Sequence, residues 1–324
     1  MLPKVYVLVL NYNGREHLEY CLSSVLATQY PATNVLLIDN GSTDNSVAFA
    51  RQNHPHIGII ENGLNLGWAA GNNVGIRYAL EREASYVVLL NNDMRVDPRW
   101  LTHAVAVAEA DPFIGVVGFD TIGEYHLNAD PDLVKFKRRQ AAWQELEVKE
   151  TEHVAGCALF LRADLLRDIG LLDERFFAYG EEDDLQKRAR RAGYRSVRVN
   201  IPLWHYNGGY WNTSRLLKSA VLAQRNHVRV MLKNDPPAVA GRRFRDMAVF
   251  ICWPGVQYDC THAHLRRLRP SLYPINVAIL LYAVLWNLIA LPATLLARYR
   301  DEQRIRQARQ RLAVLKTESG GGGQ

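Results

Sequence analysis

Two short stretches carry side chains that packing alone does not ask for. In "FFAYGEEDDLQKRARRAGYR", residues 176–195, Glu181, Glu182, Asp183 and Asp184 follow Gly180 without a break. Acids in the first turn of a helix are favoured by its dipole, bases suit the later turns, and Gly193 suits the end. Four consecutive carboxylates exceed what capping requires and repel one another. Such crowding raises a carboxyl pKa, which suits a general base. In "VVLLNNDMRVDP", residues 87–98, an apolar run built for burial delivers Asn91, Asn92 and Asp93 side by side at its end. Hydrogen-bonding and cation-binding oxygens gathered at a strand end suit a polar ligand.

The elements that must position these groups come from the hydrophobic pattern. Apolar, β-branched runs at Val5–Leu10, Val35–Ile38, Ile57–Ile60, Tyr86–Leu90 and Ile114–Val117 alternate with helical spacing near 16–27, 45–53, 72–83 and 99–110. This alternation predicts an α/β fold with a mostly parallel sheet flanked by helices on both faces. Ligands of such sheets bind outside the carboxyl ends of the strands. There the chain places Asn11-Tyr12-Asn13-Gly14, Asp39-Asn40-Gly41-Ser42, Glu61-Asn62-Gly63 and Asn91-Asn92-Asp93. Any one cluster reads equally well as a turn or helix cap. Four on one rim point to a site. Gly67, Gly71 and Gly75 allow close backbone approach, but neither a dinucleotide GxGxxG fingerprint nor a phosphate P-loop follows the first strand.

A chain of 324 residues, 48% hydrophobic and 22% charged, can bury a large core and is neither disordered nor collagen-like. Its net charge of +6 is compatible with nucleic acid, an anionic membrane or phosphorylated substrates, so the position of the charge decides. Much of it lies late in the chain. Cys21, Cys157, Cys252 and Cys260 form no CxxC pair, and the apolar start is too short and too soon interrupted for a signal peptide. Reduced thiols in a cytoplasmic setting are expected.

The stretches "VLVLNYNG", "VLLIDNGSTDNS", "NLGWAAGNNVGIRYAL", "VVLLNNDMRVDP", "VAGCALFLRADLLRDIGLLDERFFAYGEEDDLQKRARRAGYR" and "LWHYNGG" together resemble the family 2 glycosyltransferases of GT-A fold, in particular their rhamnosyltransferase-like branch. The resemblance runs from residue 3 to residue 232. It implies a nucleoside diphosphate sugar donor, and a Mg²⁺ or Mn²⁺ ion that stabilises the departing diphosphate. The Asp-x-Asp-like motif of that family is here Asn91-Asn92-Asp93, which leaves Asp93 as the metal contact, with His205 as a metal- or diphosphate-facing partner. The same resemblance puts Asn11, Asn13, Asp39, Asn65, Gly67, Asn72, Asn91 and Asn92 around the nucleotide. Asp39 would read the base edge, and a carboxylate there favours a pyrimidine imide N–H. Glu182 would deprotonate the acceptor hydroxyl, beside Glu181. Gly156, Asp184, Trp204 and Trp211 would border the acceptor or sugar, although His205 and the aromatics also read as ordinary core residues. The role of Arg225-Asn226, which also matches the family pattern, stays open.

From Ile275 to Ala297 no residue is charged, a length of roughly 34 Å if helical. Basic residues flank both ends: Arg266, Arg267 and Arg269 before, and Arg298, Arg300, Arg304, Arg306, Arg309 and Arg311 after. A single span would set one basic flank outside, and Asn276, Asn287 and Pro292 interrupt it. A helix lying on or dipping into the cytoplasmic leaflet is expected, its arginines meeting anionic lipid. A buried helix or homo-oligomer contact is the alternative. The expected organisation is a nucleotide-sugar half over 1–120, an acceptor and catalytic half over 121–235, and a helical, membrane-associating extension over 236–324. "ESGGGGQ" is a flexible tail.

Together these readings predict an inverting, metal-dependent glycosyltransferase, with dTDP-rhamnose favoured by resemblance. The acceptor would be a lipid-linked or cell-surface glycan, the place peripheral or monotopic at the cytoplasmic face of the membrane, and nucleic acid no partner. A sugar-nucleotide pyrophosphorylase would want a Gly-rich, basic loop after the first strand, and "NYNGREHL" is poor in both. A non-catalytic glycan- or membrane-binding module would not need Asp93 and Glu182 together.

Overall fold

The computed structural model describes residues 1–122, 129–206, 213–253 and 273–320. Trp211, Cys260, Arg266, Arg267 and Arg269 lie outside the described residues. The apolar runs become strands where the pattern places them: β1 (Val5–Asn11), β2 (Thr33–Asp39), β3 (Gly58–Glu61), β4 (Tyr86–Asn91), a short β5 (Met94–Arg95) and β6 (Ile114–Ile122). The intervening helices are α1 (Arg15–Leu26), α2 (Ser46–Asn53), α3 (Gly67–Glu81) and α4 (Trp100–Ala110). α3 starts earlier than its periodicity suggests. The Asn65 side chain accepts from the Gly67 N–H at 2.9 Å, and the Phe177 carbonyl accepts from Trp68 and Ala69, so the free N–H groups of the first turn find partners.

The second half supplies α5 (Ala129–Ala142), β7 (Val148–Glu150), β8 (Ala158–Arg162), α6 (Ala163–Ile169), a 3-10 turn (Glu174–Phe176), α7 (Glu181–Ala192), β9 (Arg195–His205) and α8 (Thr213–Asn234). After these come α9 (Pro237–Cys252), α10 (Tyr273–Ile289) and α11 (Leu291–Gly320).

Among the described residues the nine strands join one sheet in the order β3-β2-β1-β4-β8-β6-β9-β5, with β7 beside β9. The first four run parallel, and their register aligns Asn11 with Asp39, Asp39 with Glu61, and Leu10 with Asn91. The polar clusters therefore share one rim, as the sequence pattern requires. β8 enters antiparallel between β4 and β6. Helices cover both faces, which is why the central strands read as continuous apolar runs. Val5, Val7 and Val9 pack with Leu18, Leu22 and Trp100 on one face, while Leu8 and Leu89 pack with Ile76, Leu165 and Leu185 on the other. Cys21, Cys157 and Cys252 are free thiols.

The C-terminal region departs from the expected picture in two ways. The uncharged stretch is not one helix: α10 stops at Ile289, and α11 leaves it at a bend of 66°. Pro292 explains the break, because it offers no N–H to residue 288 and its ring collides with that carbonyl in a continuous helix. Among the described residues no single helix is long and apolar enough to cross a membrane. Asn276 and Asn287 are buried against the protein, and Asn287 Nδ2 donates to the Arg225 carbonyl at 2.8 Å.

The second departure is that α11 returns to the domain. Ile305, Ala308 and Leu312 are buried in the same core as α6 and α7. Arg298 donates to the Leu232 and Asp235 carbonyls, Arg309 to the Arg191 carbonyl, and Arg311 to Asp168. Those three arginines, expected to meet lipid, clamp the helix to the protein instead. The expected boundary at 120/121 falls inside β6, so the two halves share one sheet, and 235/236 falls between α8 and α9.

Candidate active site

The rim is a hydrogen-bonded network before it is a site. Asn11, fully buried at the end of β1, donates to Asp39 Oδ1 at 3.0 Å and accepts from Asn92 at 2.7 Å. Asp39 Oδ2 accepts the N–H groups of Gly41 and Ser42 at 3.1 and 2.9 Å. Asn13 takes a left-handed conformation, and its Oδ1 accepts from the Thr43 N–H at 2.7 Å. These bonds tie the loop after β1 to the loop after β2. Much of the capacity of Asp39 is thus spent inside its own loop, and a carboxylate with about four lone-pair directions keeps one for a ligand donor.

Asn65 and Gly67 form the start of α3. Gly67 has φ +82°, and a side chain there would meet the Phe177 carbonyl at 2.5 Å, so glycine is required by protein backbone rather than by a ligand. Asn72, 1% exposed, donates to the Trp68 carbonyl at 2.9 Å while its Oδ1 has no hydrogen-bond partner among the described residues. Trp68, which residue type alone does not single out, donates its indole N–H to Asn91 Oδ1 at 3.0 Å. That bond takes one of the two lone pairs of the Asn91 amide oxygen, and Asp93 is the anionic oxygen of the motif.

Asp93 sits just past β4, held by the Tyr206 N–H, which donates to its carbonyl at 3.0 Å. β5 pairs antiparallel with β9 and sets Met94 opposite His205. In consequence Asp93 Oδ1 and His205 Nε2 face each other at 3.2 Å. Both atoms are buried and meet as a charge pair, with no hydrogen-bond partner for either among the described residues. Burial works against the charge on Asp93, yet His205 outweighs it and holds the carboxyl below its ordinary value. Burial likewise works against an imidazolium at His205, while Asp93 and then Cys157 raise it well above the ordinary histidine value. Two ligands at about 2.1 Å from one octahedral cation stand about 3 Å apart when adjacent, so this unsatisfied pair fits a divalent ion whose other ligands come from a diphosphate. The described residues hold no cluster of three His, Cys, Asp or Glu that could bind a metal without such help.

The acidic block opens α7. Gly180, at φ +94°, turns the chain into the helix, and all four acids are buried, between 0 and 4% exposed. Asp184 is fully enclosed: Arg188 and Lys233 donate to Oδ2 at 2.8 and 2.9 Å, and Asn234 to Oδ1 at 2.9 Å. Against the cost of burial, Arg188 and Lys233 drive its pKa far down. Its contacts are those of a structural anchor at the helix start, not of an acceptor contact. Asp183 faces His153 at 2.9 Å. Glu182 Oε2 accepts the Gly180 N–H at 3.2 Å. Burial, and after it the charge of Glu182, push the Glu181 carboxyl well above the ordinary value.

Gly156 and Cys157 join the two constellations. The Glu182 carboxyl carbon lies 3.4 Å from where a Gly156 side chain would begin, an ordinary van der Waals distance, so Gly156 borders the acid. The carbonyl of the next residue, Cys157, accepts the Asn91 N–H at 3.0 Å, and its thiol is close enough to act on the charge of His205. One dipeptide just before β8 thus borders Glu182 on one side and His205 on the other.

Two further groups shape the loop before α7. Phe177 (φ 65°, ψ −62°) is the centre of a γ-turn of the rare, strained hand, closed by the Ala178 N–H on the Phe176 carbonyl at 2.8 Å. Asn226, fully buried on α8, holds that strain with one amide nitrogen placed 2.8, 2.8 and 2.7 Å from the carbonyls of Phe176, Ala178 and Tyr179. Arg225 adds a bond to the Phe176 carbonyl at 3.1 Å. The motif Arg225-Asn226 was visible in the sequence, but its task depends on a contact between distant segments. Trp204 differs from expectation: it is 4% exposed, packed edge-on to Tyr20 with Ile122 and Phe136 around it, and offers no face to a sugar. Trp211 lies outside the described residues.

Comparison with known proteins bears on the family and the fold. The family described as Glycosyl transferase family 2 matches residues 6–169. An N-acetylglucosaminyl-diphospho-decaprenol L-rhamnosyltransferase of Mycobacterium tuberculosis is 29% identical over 223 residues, covering 60% of this chain and 72% of the relative. The low-salt glycan biosynthesis hexosyltransferase Agl10 of Haloferax volcanii is 24% identical over 205 residues, covering 59% and 63%. Among solved structures, S. aureus TarS 1–349 in complex with UDP superposes with a TM-score of 0.55 at 16% identity, over 95% of this chain and 90% of that one. The mannosyltransferase PcManGT of Pyrobaculum calidifontis, in complex with GDP-Man and Mn²⁺, superposes with a TM-score of 0.51 at 20% identity, over 99% and 80%. These likenesses show the GT-A fold. With the family matched over half the chain and the polar rim assembled at the strand ends, the protein is a nucleotide-sugar-dependent glycosyltransferase and belongs to glycosyl transferase family 2.

Proposed function

We propose that the enzyme transfers a sugar with inversion, using Glu182 as general base and a Mg²⁺ or Mn²⁺ ion held by Asp93 and His205. The observation that carries the reading is that Glu182 borders Gly156 while the next residue, Cys157, acts on His205 of the Asp93–His205 pair. A cation there would supply positive charge to the diphosphate oxygens as the leaving group departs. Asp93 would hold it as an anionic oxygen, and His205 would give up its proton to bind. Glu182 would take the acceptor hydroxyl proton in a single displacement at the anomeric carbon. Burial, and after it the charge of Glu182, raise the Glu181 carboxyl well above the ordinary value and disfavour a second negative charge beside Glu182.

Asn11, Asn13, Asp39, Asn65, Gly67, Asn72 and the Asn91-Asn92 amides would border the nucleotide, mostly by fixing the loops that meet it. The free direction at Asp39 favours an imide-bearing pyrimidine. dTDP-rhamnose as donor and a lipid-linked glycan as acceptor draw their support from the mycobacterial relative's name and from the sequence resemblance. The exposed apolar residues Leu281, Leu285, Leu288 and Ile289 of α10, and Leu295, Leu296 and Tyr299 of α11, support a monotopic seat on the cytoplasmic leaflet. A screen of nucleotide sugars with and without Mg²⁺ or Mn²⁺, followed by assignment of the product anomer by NMR, tests donor, metal and stereochemistry together. Retained anomeric configuration would exclude the single displacement.

A further inference from the structure

Away from the catalytic rim, a cavity of about 560 Å³ opens where α11 crosses α6, α7 and α8. That volume is in the range of clefts that hold small ligands. Its floor is electrically balanced. Arg188, Arg229 and Lys233 are paired with Asp173, Asp184 and Asp301, the closest contacts lying between 2.7 and 3.1 Å. The rim is not balanced. Arg77 is paired with Glu174 at 2.6 Å, whereas Arg175, Arg300 and Arg304 form no ion pair among the described residues.

Arg300 and Arg304 stand one helical turn apart on α11, where like charges repel, and the Arg304 guanidinium lies over Gly170 at the mouth. Arg229, wholly buried, leaves its Nε without a hydrogen-bond partner, while its other nitrogens bind Thr294 at 2.6 Å and Asp173 at 2.7 Å. The mouth thus carries an excess of positive charge above a buried arginine whose hydrogen bonding is incomplete. The same cavity is lined by Ala293, Leu296 and Ala297, next to the break between α10 and α11. Leu296 is 49% exposed and continues into the exposed apolar face of both helices. Positive groups set directly behind an apolar edge match a molecule with a phosphate at one end and acyl chains at the other.

We infer that this cavity binds the phosphate headgroup of an anionic membrane phospholipid, fixing how the enzyme sits on the leaflet. The inference rests on the membrane seat proposed above and goes further: it exchanges a diffuse basic surface for one headgroup site. A free phosphate ion shares the same chemistry, so the probes must separate the two.

Calorimetric titration with dihexanoyl phosphatidylglycerol below its micelle concentration should show saturable binding, with dihexanoyl phosphatidylcholine at least tenfold weaker and inorganic phosphate a poor competitor. The exposed pair Arg300→Gln and Arg304→Gln, made together, should weaken the lipid at least tenfold without changing donor hydrolysis. Vesicle sedimentation with phosphatidylglycerol tests the membrane seat separately, and Leu285→Glu with Leu288→Glu should abolish sedimentation while sparing the short-chain lipid. Unchanged lipid affinity in the arginine variant, no saturable binding, or inorganic phosphate binding as tightly as the lipid would each overturn the headgroup site. Retained short-chain binding by a wild-type protein that ignores vesicles would overturn the membrane seat alone.

Discussion

Replacing Asp184 by Asn separates the structural from the chemical members of the acidic block. Asp184 is wholly buried and receives Arg188, Lys233 and Asn234. Removing one partner of a buried pair costs about 3–5 kcal/mol. Here the lower end applies, because Lys233 keeps Asp173 and Asp301, and Arg188 keeps the carbonyls of Ile169 and Leu171. For 324 residues the unfolding entropy is about 0.7 kcal/mol per kelvin. A loss of about 3 kcal/mol should therefore lower Tm by about 4 °C. The folded-state pKa of Asp184 is depressed, so its contribution is fully present above the unfolded carboxylate value of about 3.9 and is lost as pH falls through the folded value. The stability gap between wild type and Asp184→Asn should thus hold at neutral pH and narrow only under strong acid. Scanning calorimetry and urea titration read the stability, and initial rates of nucleoside diphosphate release at 20 °C read the chemistry, which should stay within about threefold. A variant with unchanged Tm and abolished turnover would refute the assignment of Asp184 as an anchor.

Asp93→Ala should weaken nucleoside diphosphate binding chiefly when Mg²⁺ or Mn²⁺ is present, and chelation should abolish wild-type transfer; titration calorimetry showing equal affinity with and without metal in both proteins would contradict this. Asn226→Ala removes a donor shared by three carbonyls around a strained turn. At about 1 kcal/mol per hydrogen bond, it should cost about 2 kcal/mol by urea titration and about tenfold in turnover, since the released loop sets Glu182; a loss of stability with full turnover would separate the loop from catalysis.

How much of this was legible in the sequence depends on the range of the interactions involved. β1 to β4 and their polar ends could be read directly, because β-branched runs and turn residues are local signals. The insertion of "ALFLR" as the antiparallel β8 could not, since four apolar residues and Arg162 before Ala163 read as well as the first turn of α6. The division of labour within Glu181–Asp184 was only partly visible: residue types gave four similar acids, and Lys233 and Asn234, distant in sequence, are what single out Asp184 as the anchored one. Trp204 was ambiguous for the same reason, its burial being fixed by Tyr20 and Phe136. The uncharged stretch 275–297 was long enough for one helix, and Pro292 was the residue that argued otherwise. The arginines beyond it looked like a lipid-facing flank because charge alone does not tell a clamp such as Arg298 from a rim residue such as Arg300.

Glu182→Gln tests the proposed chemistry most directly. The substitution keeps the side-chain shape and an oxygen to accept the Gly180 N–H, but cannot usefully accept a proton. With the donor selected by the nucleotide-sugar screen, single-turnover transfer should fall by about 10² to 10⁴, while Tm and metal-dependent nucleoside diphosphate affinity stay at wild-type values. Near-full transfer by Glu182→Gln, with the loss appearing instead in Glu181→Gln or Asp183→Asn, would contradict the assignment of Glu182 as the base.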